Sequence, residues 1–172
     1  MDQLLYIGVA MAAGIISATQ VGFIGVVTRH RGPFEATWIS MLGSLSGMAL
    51  LLGLLALAGQ RPELASPFNG RWVYLVLAII MGSSLLVAAS GLPHYVILTG
   101  LTSIPYLLAA SWTSPRVGIA VFFAAVVTGQ LGGSVFLDHI GAFGTTPRPV
   151  DLARGVGVLM LLAGVVLIRG RN

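Results

Sequence analysis

Long uncharged runs of apolar residues constrain this 172-residue chain more than any other feature. The run from Trp72 to Ser90, for example, contains no acidic or basic side chain, and about 20 apolar residues cross the roughly 30 Å hydrocarbon core of a bilayer. Because 56% of the residues are hydrophobic and only 8% are charged, one soluble core cannot bury all of these runs. The sequence therefore predicts an all-α polytopic membrane protein.

About six transmembrane helices are predicted from the apolar runs and the turn residues that separate them. Their predicted ranges are residues 4–27, 36–58, 72–90, 95–113, 116–137 and 152–168. The third run is only just long enough to cross, so five spans are the alternative. The first run lacks a preceding basic segment and is too long for a signal peptide, so we interpret it as a retained helix. Residues 1–172 are accordingly interpreted as a single transmembrane domain.

The charged and metal-binding types of residue in this chain do not indicate nucleic-acid binding, catalysis or a cofactor site. All nine basic residues are arginine, and they are scattered along the chain, which is typical of headgroup anchors at helix ends and does not predict nucleic-acid binding. The chain has no cysteine, three histidines and five acidic residues. Because these side chains are dispersed among loops and helix ends, we predict neither an enzyme nor a metal or other cofactor site.

Glycines recur at spacings that favour close helix packing. Gly43 and Gly47 are four residues apart in the second predicted helix. Gly129, Gly132 and Gly133 fall within about a 100° arc of the fifth. Without a Cβ atom, such a face permits a neighbouring helix to approach closely. We therefore predict that these five glycines pack against other helices.

Polar side chains at membrane depth are the candidate substrate path. They are Gln20 in the first predicted helix, Tyr95, Thr99, Thr102, Ser103 and Tyr106 in the fourth, and Gln130 in the fifth. An amide in hydrocarbon costs free energy unless it is hydrogen-bonded, so each glutamine is expected to face another helix, a cavity or a solute. The alternative is that the same groups only fasten helices together and bond their own backbone.

Asp138 and His139 mark the end of the fifth predicted helix, where the chain is expected to meet water. Histidine changes its charge near neutral pH, and a neighbouring carboxylate favours the charged form. We therefore assign this pair a gating or proton-linked role. The alternative is structural, with Asp138 accepting hydrogen bonds from the glycine-containing turn between Gly141 and Gly144.

The order of these motifs resembles that of a known transporter family. The run Gly129-Gln130-Leu131, the sequence LDHIGAFG from Leu137 to Gly144, and Arg148-Pro149 are similar to the second half of the small YdcZ-like members of the drug/metabolite transporter superfamily. The resemblance implies a carrier of a small metabolite or drug-like solute in the bacterial plasma membrane. It also implies one repeat of a kind that larger relatives carry twice in inverted orientation. Its members usually have five spans.

The small size of one such repeat predicts a working unit of at least two chains in the lipid bilayer. With six spans, the arginines on one side are Arg61, Arg71, Arg116, Arg169 and Arg171, and those on the other are Arg29, Arg31, Arg148 and Arg154. Because the excess of basic residues sets the direction of insertion, this near balance leaves either orientation accessible. An antiparallel homodimer, a parallel homodimer and pairing with a related chain all remain open.

Overall fold

The computed structural model describes residues 2–60 and 63–170, so Arg61 and Arg171 of the arginine count lie outside the described residues. Over the described ranges the chain is helical, without strands. The helices are α1 (Asp2–Arg31), α2 (Pro33–Leu57), α3 (Arg71–Ala88), α4 (Leu98–Leu101), α5 (Ser103–Val117), α6 (Ile119–His139) and α7 (Leu152–Arg169), with short 3₁₀ turns at His94–Ile97 and Ala142–Gly144.

Six helical stretches of the described chain are long and apolar enough to cross a membrane. Five of them are α1, α2, α3, α6 and α7, and the sixth, His94–Val117, combines the first 3₁₀ turn with α4 and α5. The prediction of an all-α polytopic membrane protein is confirmed. The third predicted span, on which the five-span alternative depended, is an 18-residue apolar helix.

The connection between α1 and α2 is much shorter than the sequence suggested. Both helices extend into residues 28–35, which lie between the first two predicted spans, and only Gly32 separates them. Gly32 has φ 95°, a conformation that residues with a Cβ rarely adopt. Pro33 follows at the first position of α2, where its fixed φ suits a helix and its missing N–H is not needed. One glycine and one proline therefore make the whole turn.

The fourth span is not one regular helix, in contrast to the prediction for residues 95–113. A 3₁₀ turn occupies His94–Ile97, and Thr102 separates α4 from α5. Pro105 has no N–H group, so the carbonyl of Leu101 lacks its helical partner and the helix is disturbed there. Because a 3₁₀ turn has three residues per turn, Tyr95 leaves the angular position that an uninterrupted α-helix would give it.

The described chain forms two compact units. The terminal unit comprises residues 2–22 and 105–170, and the middle unit comprises residues 23–60 and 63–104. The core of the terminal unit is built from alanines and other aliphatic residues of α1, α5, α6 and α7, with Phe122 as its largest member. At one end of this unit the guanidinium of Arg116 lies 5.2 Å from the ring centre of Tyr6 and 5.5 Å from that of Trp112. Such cation–π contacts anchor helix ends at the interface.

Candidate functional site

In the middle unit, α2 and α4 cross with their backbones in contact. A Cβ atom added at Gly100 would lie 2.2 Å from the carbonyl oxygen of Ser40 and 2.3 Å from the amide nitrogen of Ser44. Gly43 meets the same crossing, since its Cβ would lie 2.9 Å from the Cα of Gly100. The Ser44 hydroxyl lies within hydrogen-bonding distance of the Ser103 hydroxyl, at 2.8 Å, and of the Gly100 carbonyl, at 3.1 Å. This crossing is therefore tight and joined by hydroxyl hydrogen bonds.

Gly47 lies further along α2, against side chains and not backbone. Its Cβ would come within 2.3 Å of Leu101 and 2.7 Å of Ile104. Gly100, the closest contact of the crossing, was not among the packing glycines that we selected from the sequence. It has no glycine at a four-residue spacing in its own helix, so the spacing rule gave no signal for it.

The predicted polar stripe of the middle unit bonds mainly to nearby backbone. Thr99 is fully buried and donates to the Val96 carbonyl at 2.5 Å. Thr102 donates to the Thr99 carbonyl at 2.8 Å, and Ser103 bonds the Gly100 carbonyl at 2.7 Å. Tyr95 is exposed, with its ring centre 6.0 Å from that of Phe23. The hydroxyls are therefore satisfied locally, and a solute reaches Thr99 only after a rearrangement.

In the terminal unit, the equivalent close crossing joins α1 and α6. A Cβ atom at Gly129 would lie 2.0 Å from the carbonyl oxygen of Met11, and one at Gly14 would lie 2.1 Å from that of Val126. Gly133 is looser, with 3.3 Å to the Cβ of Ala18. Gly132 instead faces α7, where an added Cβ would make an ordinary 3.9 Å contact with Val158. Close backbone approach along α6 thus involves Gly129 above all.

Gln130 lies beside this crossing, near the middle of the 21-residue helix α6. Its side chain is half-buried. Its backbone nitrogen belongs to the crossing, because a Cβ atom added at Gly14 would lie 2.8 Å from it. Gln20 and Tyr106 are half-buried too, and the ring centre of Tyr106 lies 6.1 Å from that of Phe122. These three residues belong to the terminal unit, whereas the rest of the predicted path belongs to the middle unit.

A cavity of about 470 Å³ opens between α1 and α5 in the terminal unit. It is lined by Val9, Ala12, Ala13, Ile16, Pro105, Leu108, Ala109, Ser111 and Trp112. No lining residue is charged, so an apolar or weakly polar molecule is the best chemical match for the space.

Asp138 and His139 organise the loop that follows α6. The backbone carbonyl of Asp138 accepts from the amides of Gly141 at 3.2 Å and Arg148 at 2.8 Å. The amide of Val150 donates to Nδ1 of His139 at 3.2 Å, which requires a ring nitrogen without a proton. The carboxylate of Asp138 lies 3.8 Å from the Arg154 guanidinium, with both side chains partly exposed. The pair therefore holds residues 140–151 against the end of α6.

The same loop also reaches α1. Phe143 has φ 58°, unusual for a residue with a Cβ, and its ring lies so close to Gly22 that a Cβ there would be 2.3 Å from the ring. Within residues 2–60 and 63–170, no three His, Cys, Asp or Glu side chains lie together as metal ligands would. The arrangement at the end of α6 is thus a docked loop with one histidine in its hydrogen-bond network.

The chain matches one family model, described as "Putative inner membrane exporter, YdcZ", over residues 63–167. The match covers more than half of the 172 residues. It includes α3 to α6 and most of α7, and therefore Gln130, Asp138 and His139, but not α1 or α2. The chain has no significant match among curated proteins or among solved structures.

Proposed function

Since the chain belongs to the YdcZ family of inner membrane exporters of the drug/metabolite transporter type, we propose that it carries a small metabolite or drug-like solute out across the inner membrane. The observation that carries this proposal is the position of Gln130. A half-buried amide near the middle of a spanning helix is expensive in hydrocarbon unless it has a polar partner, and a passing solute supplies one. It also lies within the part of the chain that matches the exporter family.

The cargo that suits this chain is neutral or zwitterionic. Among the described residues, every acidic or basic side chain lies in a loop or within the first or last turns of a helix. A solute with a net charge would therefore find no opposite charge at membrane depth. The cavity between α1 and α5 has apolar walls, and we therefore expect the cargo to have a hydrophobic part as well.

Flux measured in proteoliposomes tests the carrier. We expect vesicles that contain the purified protein to release a neutral amphipathic dye faster than vesicles without protein. An anionic dye of similar size should leave both kinds of vesicle at the same rate. Release of both dyes at the protein-free rate, with protein that is folded by circular dichroism, would contradict the proposal.

A second candidate is a membrane assembly subunit that transports nothing. The hydrogen bonds of Thr99, Thr102 and Ser103 to nearby carbonyls favour it, because these hydroxyls already have partners without a solute. The hydroxyl pair of Ser44 and Ser103 has the same fastening character. The two candidates predict different effects when a polar side chain at membrane depth is removed. A carrier would lose flux and still fold, whereas an assembly subunit would lose stability.

The working unit in this proposal contains at least two chains. Only Val165 of α7 and only Tyr74 and Leu85 of α3 are buried, so both helices present apolar faces to lipid or to another chain. One repeat alone has little bulk to shield a path. An antiparallel pair would reproduce the inverted repeat of the larger relatives, and a parallel pair or a related partner chain are the alternatives.

We further propose that Asp138 and His139 link proton binding to the position of the loop over residues 140–151. A proton on Nδ1 of His139 would release the Val150 amide. The ion pair of Asp138 with Arg154, whose backbone amide donates to Asp151, joins the same two ends of the loop. We expect the double variant Asp138→Asn with His139→Gln to lose the pH dependence that the wild-type flux shows near neutral pH.

The matched control is His94→Gln, which changes an exposed histidine at the start of the 3₁₀ turn and should leave the pH profile as it is. Flux that keeps the wild-type pH dependence in the double variant would show that the pair is structural.

A further inference from the structure

A second cavity, of about 360 Å³, lies in the middle unit where α1 passes into α2. It is lined by Arg31, Phe34, Glu35, Trp38, Ile39 and Ala88. Unlike the cavity between α1 and α5, it presents both a basic and an acidic side chain. Arg31 is the last residue of α1 and Glu35 lies in the first turn of α2, so the turn at Gly32 and Pro33 separates the two charges.

Arg31 forms a fixed wall of this cavity. Its guanidinium donates to the carbonyl of Ala88, the last residue of α3, at 2.5 Å and to the carbonyl of Ser90 just after the helix. Those bonds satisfy carbonyl groups that have no partner within their helix, but they do not neutralise the positive charge. In the part of the chain that the structure describes, neither Arg31 nor Glu35 takes part in an ion pair. The cavity thus offers one positive and one negative side chain that are not joined in an ion pair.

The aromatic residues of the cavity place it at the depth of lipid headgroups. Phe34 is 84% exposed and Trp38 is 60% exposed, at the very start of a helix that is long and apolar enough to cross the membrane. Tryptophan is enriched at the boundary between headgroups and hydrocarbon, and its ring attracts cations. A ligand in this cavity would therefore lie beside the headgroups of the surrounding lipids.

An apolar groove of about 510 Å³ follows along the same helix, bounded by α2, α3 and α4. Ser46 and Leu50 of α2 line it, together with aliphatic side chains such as Leu75, Ile79 and Leu101. On α2, the positions 35, 39, 46 and 50 fall within roughly a 60° arc, so they lie on one face of the helix. The segments that line the cavity and the groove, around residues 37 and 48, are roughly 16 Å apart along the helix axis. A charged cavity and an apolar groove on one helix face match the head and the chain of an amphiphile.

We propose that this site binds a zwitterionic phospholipid whose headgroup ends in a primary amine, that is, a phosphatidylethanolamine. Its phosphate would lie beside Arg31, and its ammonium group beside Glu35 and the ring of Trp38. An acyl chain would follow the apolar groove. An anionic headgroup would bring an uncompensated negative charge to Glu35, and a quaternary choline headgroup has no N–H to donate to the carboxylate.

Native mass spectrometry of the full-length protein in detergent tests the proposal, with phosphatidylethanolamine, phosphatidylcholine and phosphatidylglycerol of identical acyl chains. We expect about two- to fivefold greater retention of phosphatidylethanolamine over either other lipid, the upper part of the range that one exposed ion pair supplies. Glu35→Gln should bring this preference close to one. Trp38→Leu, which leaves both charges in place, should lower the retention of phosphatidylethanolamine and provides a second readout.

The matched control is Glu63→Gln, the same change at an exposed carboxylate in the loop before α3, and it should keep the wild-type preference. Equal retention of the three lipids, stronger retention of phosphatidylglycerol, or a preference that survives Glu35→Gln would overturn the proposal. So would displacement of the lipid by an equal concentration of soluble glycerophosphoethanolamine, because the site would then recognise a water-soluble solute and not a lipid.

Discussion

Replacing Gly129 by alanine is expected to drive α1 and α6 apart and to leave little folded protein. The added Cβ would lie 2.0 Å from the carbonyl oxygen of Met11 and 2.8 Å from its carbonyl carbon. These are backbone atoms, so no side-chain rotation relieves the clash. Overpacking typically costs 1–3 kcal/mol, and we expect a cost of at least about 3 kcal/mol here because a whole helix must move. Unfolding of the purified protein in detergent, followed by circular dichroism, measures it.

Gly157→Ala in α7 is the matched control, because a Cβ at Gly157 has no neighbouring atom within 4 Å. Alanine favours a helix by about 1 kcal/mol over glycine, so this variant should be as stable as the wild type or slightly more stable. Equal stability of the Gly129 and Gly157 variants would mean that α1 and α6 do not cross as the structure has them.

Replacing Gln130 by leucine is expected to abolish most of the flux while the protein still folds. Leucine is similar in size and compatible with hydrocarbon, so the crossing at Gly129 is unaffected, but the amide that would bond a passing solute is lost. Leaving a polar partner unsatisfied costs about 1–3 kcal/mol, which corresponds to a loss of roughly 5-fold to 150-fold in flux. Dye release from proteoliposomes, at matched protein content, measures the loss.

Gln60→Leu is the control for this change, since Gln60 is an exposed amide in the loop after α2, and its flux should equal that of the wild type. A Gln130→Leu protein that unfolds, and whose residual folded fraction transports normally, would favour the assembly subunit over the carrier.

The spans of this protein could be predicted from the sequence because each is a long apolar run, and the bilayer sets its length. The partners of the spans could not. Glycine spacing within α6 identified Gly129 as a residue of a small face, but only the fold reveals that Met11 of α1 meets it. In the same way, Gly100 meets Ser40 and Ser44 far away in sequence, a pairing that no periodicity within one helix contains.

The candidate site was less predictable than the spans, and proline is the main reason. The arc from Tyr95 to Tyr106 assumed one regular helix, whereas Pro105 and the 3₁₀ turn before α4 interrupt it. The end of α6 was easier, since Asp138 and His139 stand where an apolar run stops. Even there, the hydrogen bond from the Val150 amide to the His139 ring could not be predicted, because it depends on the path of the loop between the two residues.

The unequal lengths of the helices have a consequence for the membrane itself. α1 has 30 residues, whereas α3 and α7 have 18 each, which corresponds to about 45 Å against about 27 Å. A typical hydrocarbon core of roughly 30 Å is shorter than α1 and slightly thicker than α3 or α7. The helices therefore mismatch the bilayer in both senses. α1 is longer than the hydrocarbon core and must tilt or protrude, whereas the bilayer must become locally thinner beside the shorter, little-buried α3 and α7. Bilayer thickness thus becomes a variable that favours or opposes the native arrangement of these helices.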